Sequence, residues 1–409
     1  MAEGNLVPGV DRLVVVGGSL GAARVAEEAR RLGFEGSVTI IGDEPHPPYD
    51  RPPLTKDFLT CADEPDPTAH LADPEALGVT LMTGTTATSL DSRNRRVRTD
   101  QGDVDYDRLV VATGARPRPL EVPGADLAGV FTIRSLEDAR AVRAALQPGA
   151  RVVVVGAGFI GGEIASSARA RGAEVTLVEV APLPLVGAVG SLVAERLAYL
   201  HRQYDVDLLI RTKVRAIGGS AGRVEKVRLN DGTTLPADLV IIGIGVDPAT
   251  DWLRGSGVAV GDGVACSPYL ESTVPGVYAV GDVARWVNPW NGRSSRLEHW
   301  TATTEQAVFV ARNALTEDRE ACAIMPYFWS EWYGHRLQMI GEPADEVELL
   351  GDGAATDPFL AQYRYDGDLV GAFALDRTGP LMKLRVPVRK RQSWQDMLRE
   401  PASAAPSAR

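Results

Sequence analysis

The chain has 409 residues, a length that suits two or three domains rather than a single hydrophobic core. Its hydrophobic fraction of 44% and charged fraction of 24% are those of an ordinary globular protein. The net charge of −11 argues against a nucleic-acid partner, and no apolar run is long enough to span a membrane. Residues 1–18 lack the pattern of a signal peptide, so we expect a soluble cytoplasmic protein.

Residues 12–43 predict a strand, a glycine turn, a helix and a second strand. The Val-rich run at residues 12–16 is typical of a parallel strand that is buried on both faces. This order is the βαβ unit that binds a dinucleotide at its turn, although Ser19 and Ala22 replace two glycines of the GxGxxG pattern. Asp43 ends the second strand, where an acid can bind an adenosine ribose. A turn without a ligand and a solvated loop aspartate remain open as alternatives.

Residues 151–179 repeat the pattern with a complete GxGxxG at Gly156, Gly158 and Gly161. The first glycine permits the tight turn, the second lets the backbone approach a pyrophosphate, and the third allows close packing of helix on strand. Glu179 ends the following strand about twenty residues further on, where an acid can accept from a ribose 2′-hydroxyl. This placement predicts a preference for NADH over NADPH.

Further buried strands are predicted at residues 107–114, 237–245 and 277–282, and a helix at residues 301–315. The sequence GDVA is expected to open a helix with Asp282 as its N-cap.

From about residue 324 the composition becomes rich in aromatic residues, and we expect a C-terminal α/β domain at residues 324–400. Residues 401–409, rich in Pro, Ala and Ser, predict a disordered tail. The elements together predict an α/β protein with two Rossmann-like dinucleotide-binding domains followed by a C-terminal α/β interface domain.

Taken in order, the motifs resemble those of the FAD-dependent, NADH-dependent ferredoxin reductases of the putidaredoxin reductase type, which serve cytochromes P450 and Rieske oxygenases. The resemblance covers about residues 11–345 and is weak beyond them. Besides the two βαβ units, it rests on PYDRPPLTK at 48–56, VVATGARPRPL at 110–120, IRSLEDA at 133–139, DLVIIGIG at 238–245, VYAVGDVA at 277–284, EHW at 298–300 and YFWSEWY at 327–333.

The resemblance implies an FAD-binding domain built from residues 1–114 and 240–320, with an NADH-binding domain of residues 115–239 inserted into it. The FAD contacts that it implies are Gly17, Ser19, Gly21, Asp43, Lys56, Ala87, Arg134, Asp282 and Trp300. It also implies cofactor contacts at Arg51, Thr113, Gly114, Gly281, Glu298 and His299. The remaining cofactor contacts that it implies are Gly156, Gly158, Phe159, Ile160, Gly161, Glu163, Glu179, Gly243, Gly245 and Trp329. Arg51 and Arg134 are expected to be structural or phosphate-side charges rather than catalytic ones.

Three of these residues carry implied catalytic roles. Lys56 would lie beside the flavin near N5, Glu163 near the nicotinamide, and Trp329 near the isoalloxazine ring. Each also has a plainer interpretation: a surface charge for Lys56, a helix-dipole partner for Glu163, and a core aromatic for Trp329 and Trp300. Phe159 is either a gate to the nicotinamide pocket or a packing residue.

The implied activity is transfer of electrons from NADH through FAD to a small [2Fe–2S] ferredoxin, by a monomer or a homodimer. Such ferredoxins are usually acidic, so docking on a chain of net charge −11 needs a local positive surface. The candidate cations are Lys383, Arg385, Arg389, Lys390 and Arg391, with Arg293 and Arg296. An ordinary solvated basic edge remains open as an alternative.

Three other functions remain open on the same fold. A flavin disulfide reductase or NADH peroxidase needs a reactive cysteine near the flavin, and RPPLTKDFL after the first βαβ unit contains none. The cysteines Cys61, Cys266 and Cys322 are far apart and predict neither a disulfide framework nor a metal site. A direct NADH oxidase, or an NADH-sensing flavoprotein of the apoptosis-inducing type, would differ from the reductase in lacking turnover with a ferredoxin.

Overall fold

The computed structural model describes residues 5–66, 73–351 and 357–399. Their contacts divide the chain into two compact units. The first comprises Met1–Arg118, Ile133–Ala141 and Gly245–Ile324, and the second comprises Pro119–Thr132, Val142–Ile244 and Met325–Arg409. The expected C-terminal domain therefore shares a unit with most of the expected NADH-binding residues, and the domain bounds themselves stay a prediction. The predicted tail at residues 401–409 lies outside the described residues.

The first unit is built around a five-stranded parallel sheet. Its strands are rich in Val, Ile and Leu because both faces are buried, and the last four residues of strand Arg12–Val16 are at most 3% exposed. Val16 pairs with both Ile41 and Val111, so three strands end at the edge where the turn at Gly17 begins. In order across the sheet the strands are Val277–Ala279, Arg108–Val111, Arg12–Val16, Ser37–Ile41 and Val79–Met82.

Two long helices accompany this sheet. Helix Leu20–Arg31 follows the turn and buries its Ala- and Val-bearing face, and helix Trp300–Leu315 packs against it. The prediction that GDVA opens a helix is wrong, because Gly281–Val283 is a single 3₁₀ turn and strand Ala284–Asn288 follows it. The other short helical elements are Pro52–Thr55, Asp57–Thr60 and Asp251–Leu253. Helix Leu136–Ala145 begins in this unit.

Three small sheets complete the first unit. One contains Ala87–Asp91, Arg96–Thr99 and Gly102–Asp105, a second pairs Ala115–Pro117 with Val246–Pro248, and the third contains Val260–Gly261, Gly263–Cys266, Ala284–Asn288 and Arg293–Ser295.

The second unit contains another five-stranded parallel sheet. Strand Arg151–Val155 lies at its centre, and the turn at Gly156 leads from it into helix Phe159–Ala170. A longer helix, Val186–Gln203, follows the next strand. In order across the sheet the strands are Val206–Leu209, Glu174–Val178, Arg151–Val155, Leu239–Ile242 and Val130–Phe131. A small antiparallel sheet contains Val214–Ser220, Arg223–Leu229 and Thr234–Pro236.

The rest of the second unit is an antiparallel five-stranded sheet followed by three short helices. Its strands, in order, are Tyr327–Trp332, His335–Gly341, Asp368–Leu375, Phe359–Tyr365 and Glu346–Leu350, and the helices are Thr378–Lys383, Arg385–Lys390 and Trp394–Arg399. Trp332, Tyr363 and Phe373 are fully buried in its core, together with Leu197 of helix Val186–Gln203. This architecture confirms the predicted fold class. Within the described residues, no helix is long and apolar enough to cross a membrane.

Candidate functional site

The first glycine turn forms a close backbone cradle at the edge of its sheet. Gly17 has φ of +122°, and a Cβ there would lie 2.1 Å from the carbonyl oxygen of Ala112. Gly21 packs closely too, since its Cβ would lie 3.1 Å from Cγ1 of Val280. Ser19 is the N-cap of helix Leu20–Arg31 but makes no side-chain cap bond. The N-terminal N–H groups of this helix are thus available to an anionic ligand.

A buried amide near this turn lacks an acceptor. Gln306 is fully buried, and its Oε1 accepts a hydrogen bond of 2.6 Å from the backbone N–H of Gly281. Its Nε2 has no partner among the described residues. An unsatisfied buried donor costs about 1–3 kcal/mol, which a ligand oxygen would recover. The cradle, the uncapped helix and this donor fit a bound FAD.

Arg51 and Arg134 hold the loops of the first unit together. Arg51 forms a 2.7 Å ion pair with Glu44 and donates to Oγ of Ser19 at 3.3 Å. It also donates to the backbone carbonyl of Arg134, whose own guanidinium lies 3.1 Å from Asp282. These pairings support the structural interpretation of both arginines.

Two other predicted FAD residues have protein partners of their own. Half-buried Lys56 donates from Nζ to the carbonyl of Pro52 at 3.1 Å. Trp300 donates from Nε1 to Oδ1 of Asp50 at 2.9 Å. The buried Asp50 was not among the predicted site residues, although it lies inside the PYDRPPLTK motif that carries Lys56.

The remaining predicted FAD residues differ in their surroundings. Asp43 is exposed, and Thr113 donates to the carbonyl of Ala249 at 2.7 Å. Glu298 forms a 2.5 Å ion pair with Arg296. His299 is the N-cap of helix Trp300–Leu315, and desolvation lowers its pKa to about 4. Ala87 begins a strand, while Gly114 and Gly281 have positive φ.

The three glycines of the second turn differ in their surroundings. A Cβ at Gly156 would lie 2.3 Å from the carbonyl oxygen of Gly243, and one at Gly161 would lie 1.9 Å from that of Gly156. A Cβ at Gly158 would meet nothing within 4 Å. Two of the glycines are therefore required by close packing. The middle one borders open space, as a pyrophosphate-binding turn requires.

Glu179 is held against this turn by two backbone donors. Its Oε2 accepts from the N–H of Ala157 at 2.6 Å, and its Oε1 accepts from the N–H of Ala181 at 2.8 Å. A carboxylate oxygen can accept more than one hydrogen bond, so Glu179 keeps capacity for a ribose hydroxyl. Ile160 is exposed at the start of the adjoining helix, and Gly245 of the predicted set lies in the first unit with φ of +105°.

Helix Phe159–Ala170 lies against strand Tyr327–Trp332 within the second unit. Glu163 is 4% exposed and accepts a 2.6 Å hydrogen bond from Oγ of Ser330. The ring of Phe159 meets Phe328 edge to face, with centroids 4.5 Å apart. Ser330 was not predicted, because a serine between two tryptophans carries no local signal for a partner so distant in sequence. Half-buried Trp329 lies near Tyr327, with their ring centroids 6.1 Å apart.

The cysteines do not form a thiol redox pair. None of the three forms a disulfide, and burial raises the pKa of the Cys266 thiol to about 12 and also raises that of Cys322. Cys61 is exposed. Across the described residues, no group of three or more His, Cys, Asp or Glu side chains is arranged to hold a metal ion.

The predicted docking cations divide between the two units. Lys383, Arg389 and Lys390 are exposed, Val386 is 59% exposed, and we call these four residues the basic surface. Arg385 and Arg391 are half-buried. Arg293 and Arg296 belong to the first unit, where Arg296 forms ion pairs with Asp262 and Glu298.

Comparison with known proteins identifies the family. Residues 11–307 match the protein family described as "Pyridine nucleotide-disulphide oxidoreductase". Residues 327–403 match the family described as "Reductase C-terminal". The ferredoxin–NAD(+) reductase component of the biphenyl dioxygenase system of Paraburkholderia xenovorans is 34% identical over 90% of this chain and 91% of its own. Putidaredoxin reductase of Pseudomonas putida is 33% identical over 88% of this chain and 87% of its own.

A solved structure agrees with these relatives. The crystal structure of the covalent putidaredoxin reductase–putidaredoxin complex matches with a TM-score of 0.89 and 31% identity, over 96% of each chain. These findings confirm the resemblance predicted from the motifs. The chain, which also carries a Reductase C-terminal domain, belongs to the pyridine nucleotide-disulphide oxidoreductase family and, within it, to the ferredoxin–NAD(+) reductases.

Proposed function

We propose that this oxidoreductase uses FAD to pass electrons from NADH to a small [2Fe–2S] ferredoxin, which in turn serves a Rieske oxygenase or a cytochrome P450. The observation that carries the proposal is the pair of glycine turns, each at the edge of its own parallel sheet, in a chain that ends in a Reductase C-terminal domain. We further propose that it acts in the cytoplasm, as a monomer or a homodimer.

The first turn is the proposed FAD site. Gly17, Ser19 and the N-terminus of helix Leu20–Arg31 would hold the pyrophosphate, and Nε2 of Gln306 would supply a buried donor. When bound, FAD accepts hydride from NADH and releases the electrons one at a time. Lys56 contributes positive charge and Trp300 a rigid aromatic wall, each held by its own protein partner.

The second turn is the proposed NADH site. Gly158 gives the pyrophosphate its close approach, and Glu179 accepts from the adenosine ribose. Glu163 and Phe159 line the nicotinamide end, and Trp329 contributes an aromatic face to the reacting rings. The chain thereby binds, orients and shields the reactants, and no acid or base of its own is required for hydride transfer.

The basic surface is the proposed docking site for the ferredoxin. Three exposed cations and one exposed aliphatic side chain lie on two consecutive short helices, and the charge of the cations is opposite to that of an acidic ferredoxin. In small, transient electron-transfer complexes, such charge complementarity mainly raises the rate at which the two proteins associate.

The FAD and NADH sites are tested by spectroscopy of the purified protein. We expect a yellow protein with one non-covalent FAD, whose absorbance is bleached by NADH without oxygen. In Gly158→Ala the fold and the FAD content should be retained, because the added methyl meets nothing within 4 Å. NADH should bind at least about tenfold more weakly, since the methyl keeps the pyrophosphate from the turn.

Absence of flavin after supply of FAD would contradict the proposed first site. Unchanged NADH affinity in Gly158→Ala would contradict the proposed second site.

A further inference from the structure

Alternate side chains of strand Tyr327–Trp332 lie along one face of helix Phe159–Ala170. Phe328 meets Phe159, and Ser330 donates to Glu163. Trp332 covers Gly162 so closely that a Cβ there would lie 2.3 Å from the indole ring. Side chains two apart in a strand share a face, as do residues three or four apart in a helix. The contact therefore extends over the first turns of the helix.

The end of the strand is fixed to the same helix. The backbone N–H of Tyr333 donates to Oγ of Ser166 at 2.7 Å. Tyr333 and Gly334 both have positive φ, as a two-residue hairpin turn requires, and Trp332 pairs with His335 across it. The hairpin is therefore a short, rigid arm whose position relative to the helix is set at several points.

Ser330 contacts a buried acidic side chain of the helix. Glu163 is 4% exposed and Ser330 is fully buried, so water cannot readily replace their 2.6 Å hydrogen bond. Because the bond fixes Oε1, it also restricts the orientation of the whole carboxylate group.

We infer that Ser330 is a positioning residue for NADH oxidation, which holds the Glu163 carboxylate in the orientation that receives the nicotinamide end of NADH. The inference rests on the proposed function. It gives the Reductase C-terminal domain a part in the nicotinamide site, because Ser330 lies in that domain's first strand. Without the hydroxyl, the carboxylate loses this restraint on its orientation and the reactive geometry is populated less often.

The first test measures reduction of the bound FAD by NADH in stopped flow. We expect Ser330→Ala to slow reduction about tenfold, the factor that corresponds to loss of one buried hydrogen bond of about 1.4 kcal/mol. Ser330→Thr keeps the hydroxyl and should retain most of the rate. Ser166→Ala is the matched control, because it removes a hydroxyl from the same contact without touching Glu163, and its rate should stay within about twofold of the wild type.

A double-mutant cycle separates positioning from general packing. If Ser330 acts through Glu163, Ser330→Ala should cause no further slowing in a Glu163→Ala background. A packing role would slow both backgrounds by the same factor, and that result would overturn the inference. If Ser330→Ala does not retain FAD, Ser330→Val replaces it, because Val has the shape of Thr but no hydroxyl, and a wild-type rate in that variant would also overturn the inference.

The outcomes also separate this inference from the proposed function. Rapid reduction in the wild type with equal rates in Ser330→Ala would remove the role of Ser330 alone. A wild-type flavin that NADH does not reduce would overturn both.

Discussion

At the scale of single residues, Glu179 combines a structural task with a predicted binding task. Its two carboxylate oxygens accept from the backbone N–H groups of Ala157 and Ala181, so the side chain is fixed before any ligand arrives. The spacing of Glu179 to the glycine turn predicted that this acid binds a ribose hydroxyl at the end of the strand. The two backbone donors could not be predicted, because they depend on how the loop after the strand folds back.

The charge of Glu179 should set the cofactor preference. We expect NADH to exceed NADPH by at least about tenfold in kcat/KM, or about 1.4 kcal/mol, because the carboxylate repels a 2′-phosphate. Glu179→Gln should narrow this gap, since it removes the charge and keeps an acceptor. Glu174→Gln, at the exposed start of the same strand, is the control and should leave the ratio unchanged. Comparable wild-type kinetics with both cofactors would contradict the assignment.

At the scale of elements, local signals predicted the glycine turns and their flanking strands well. Val-rich runs and glycine spacing are short-range features, and the strands at residues 151–155 and 239–242 fall inside the predicted runs. The prediction that a helix begins at the GDVA sequence was wrong. The sequence ARWVN forms a strand instead, because it alternates buried and exposed residues and pairs with Gly263–Cys266.

The contact between helix Phe159–Ala170 and the C-terminal hairpin could not be predicted at all. Gly162 looks like one more small residue after the GxGxxG pattern, yet it is the place where the Trp332 indole packs. That requirement comes from a partner far along the chain, and no local spacing reports it.

A buried histidine, which contacts this hairpin, should make the free energy of unfolding depend on pH. His201 is fully buried, with Nδ1 2.7 Å from the hydroxyl of Tyr333 and its ring centroid 4.7 Å from that of Trp332. Desolvation lowers its pKa to about 3. Between pH of about 6.5 and 3 the unfolded chain therefore binds a proton that the folded chain does not, and stability must fall as the pH is lowered through this range.

The measurement is denaturant unfolding at several pH values. We expect the free energy of unfolding to lose about 3–5 kcal/mol from this residue between pH 7 and pH 3. His201→Gln can still accept from Tyr333 but cannot be protonated, so its pH dependence should be shallower by that amount. Parallel pH profiles of the two proteins would contradict the assignment of a neutral His201.

At the scale of the whole molecule, the net charge of −11 conflicts with binding an acidic ferredoxin unless the positive charge is concentrated. The basic surface supplies such a concentration at the end of the second unit. Arg296, also considered from sequence, is already neutralised by Asp262 and Glu298. The sequence thus identified the basic segment but could not show which of its cations are exposed, because exposure depends on contacts across the fold.

Reduction of a purified [2Fe–2S] ferredoxin by NADH, with catalytic amounts of this protein, tests the central claim most directly. We expect ferredoxin reduction well above the rate of NADH oxidation by oxygen. Reversing Arg389 and Lys390 to Glu should raise the apparent KM for the ferredoxin and weaken its salt dependence, with ferricyanide reduction unchanged. Reversing the exposed Lys226 and Arg228 is the charge-matched control and should leave that KM unchanged. If no [2Fe–2S] ferredoxin from the source organism is reduced above the oxygen background, the account is contradicted and the protein is an NADH oxidase or a sensor.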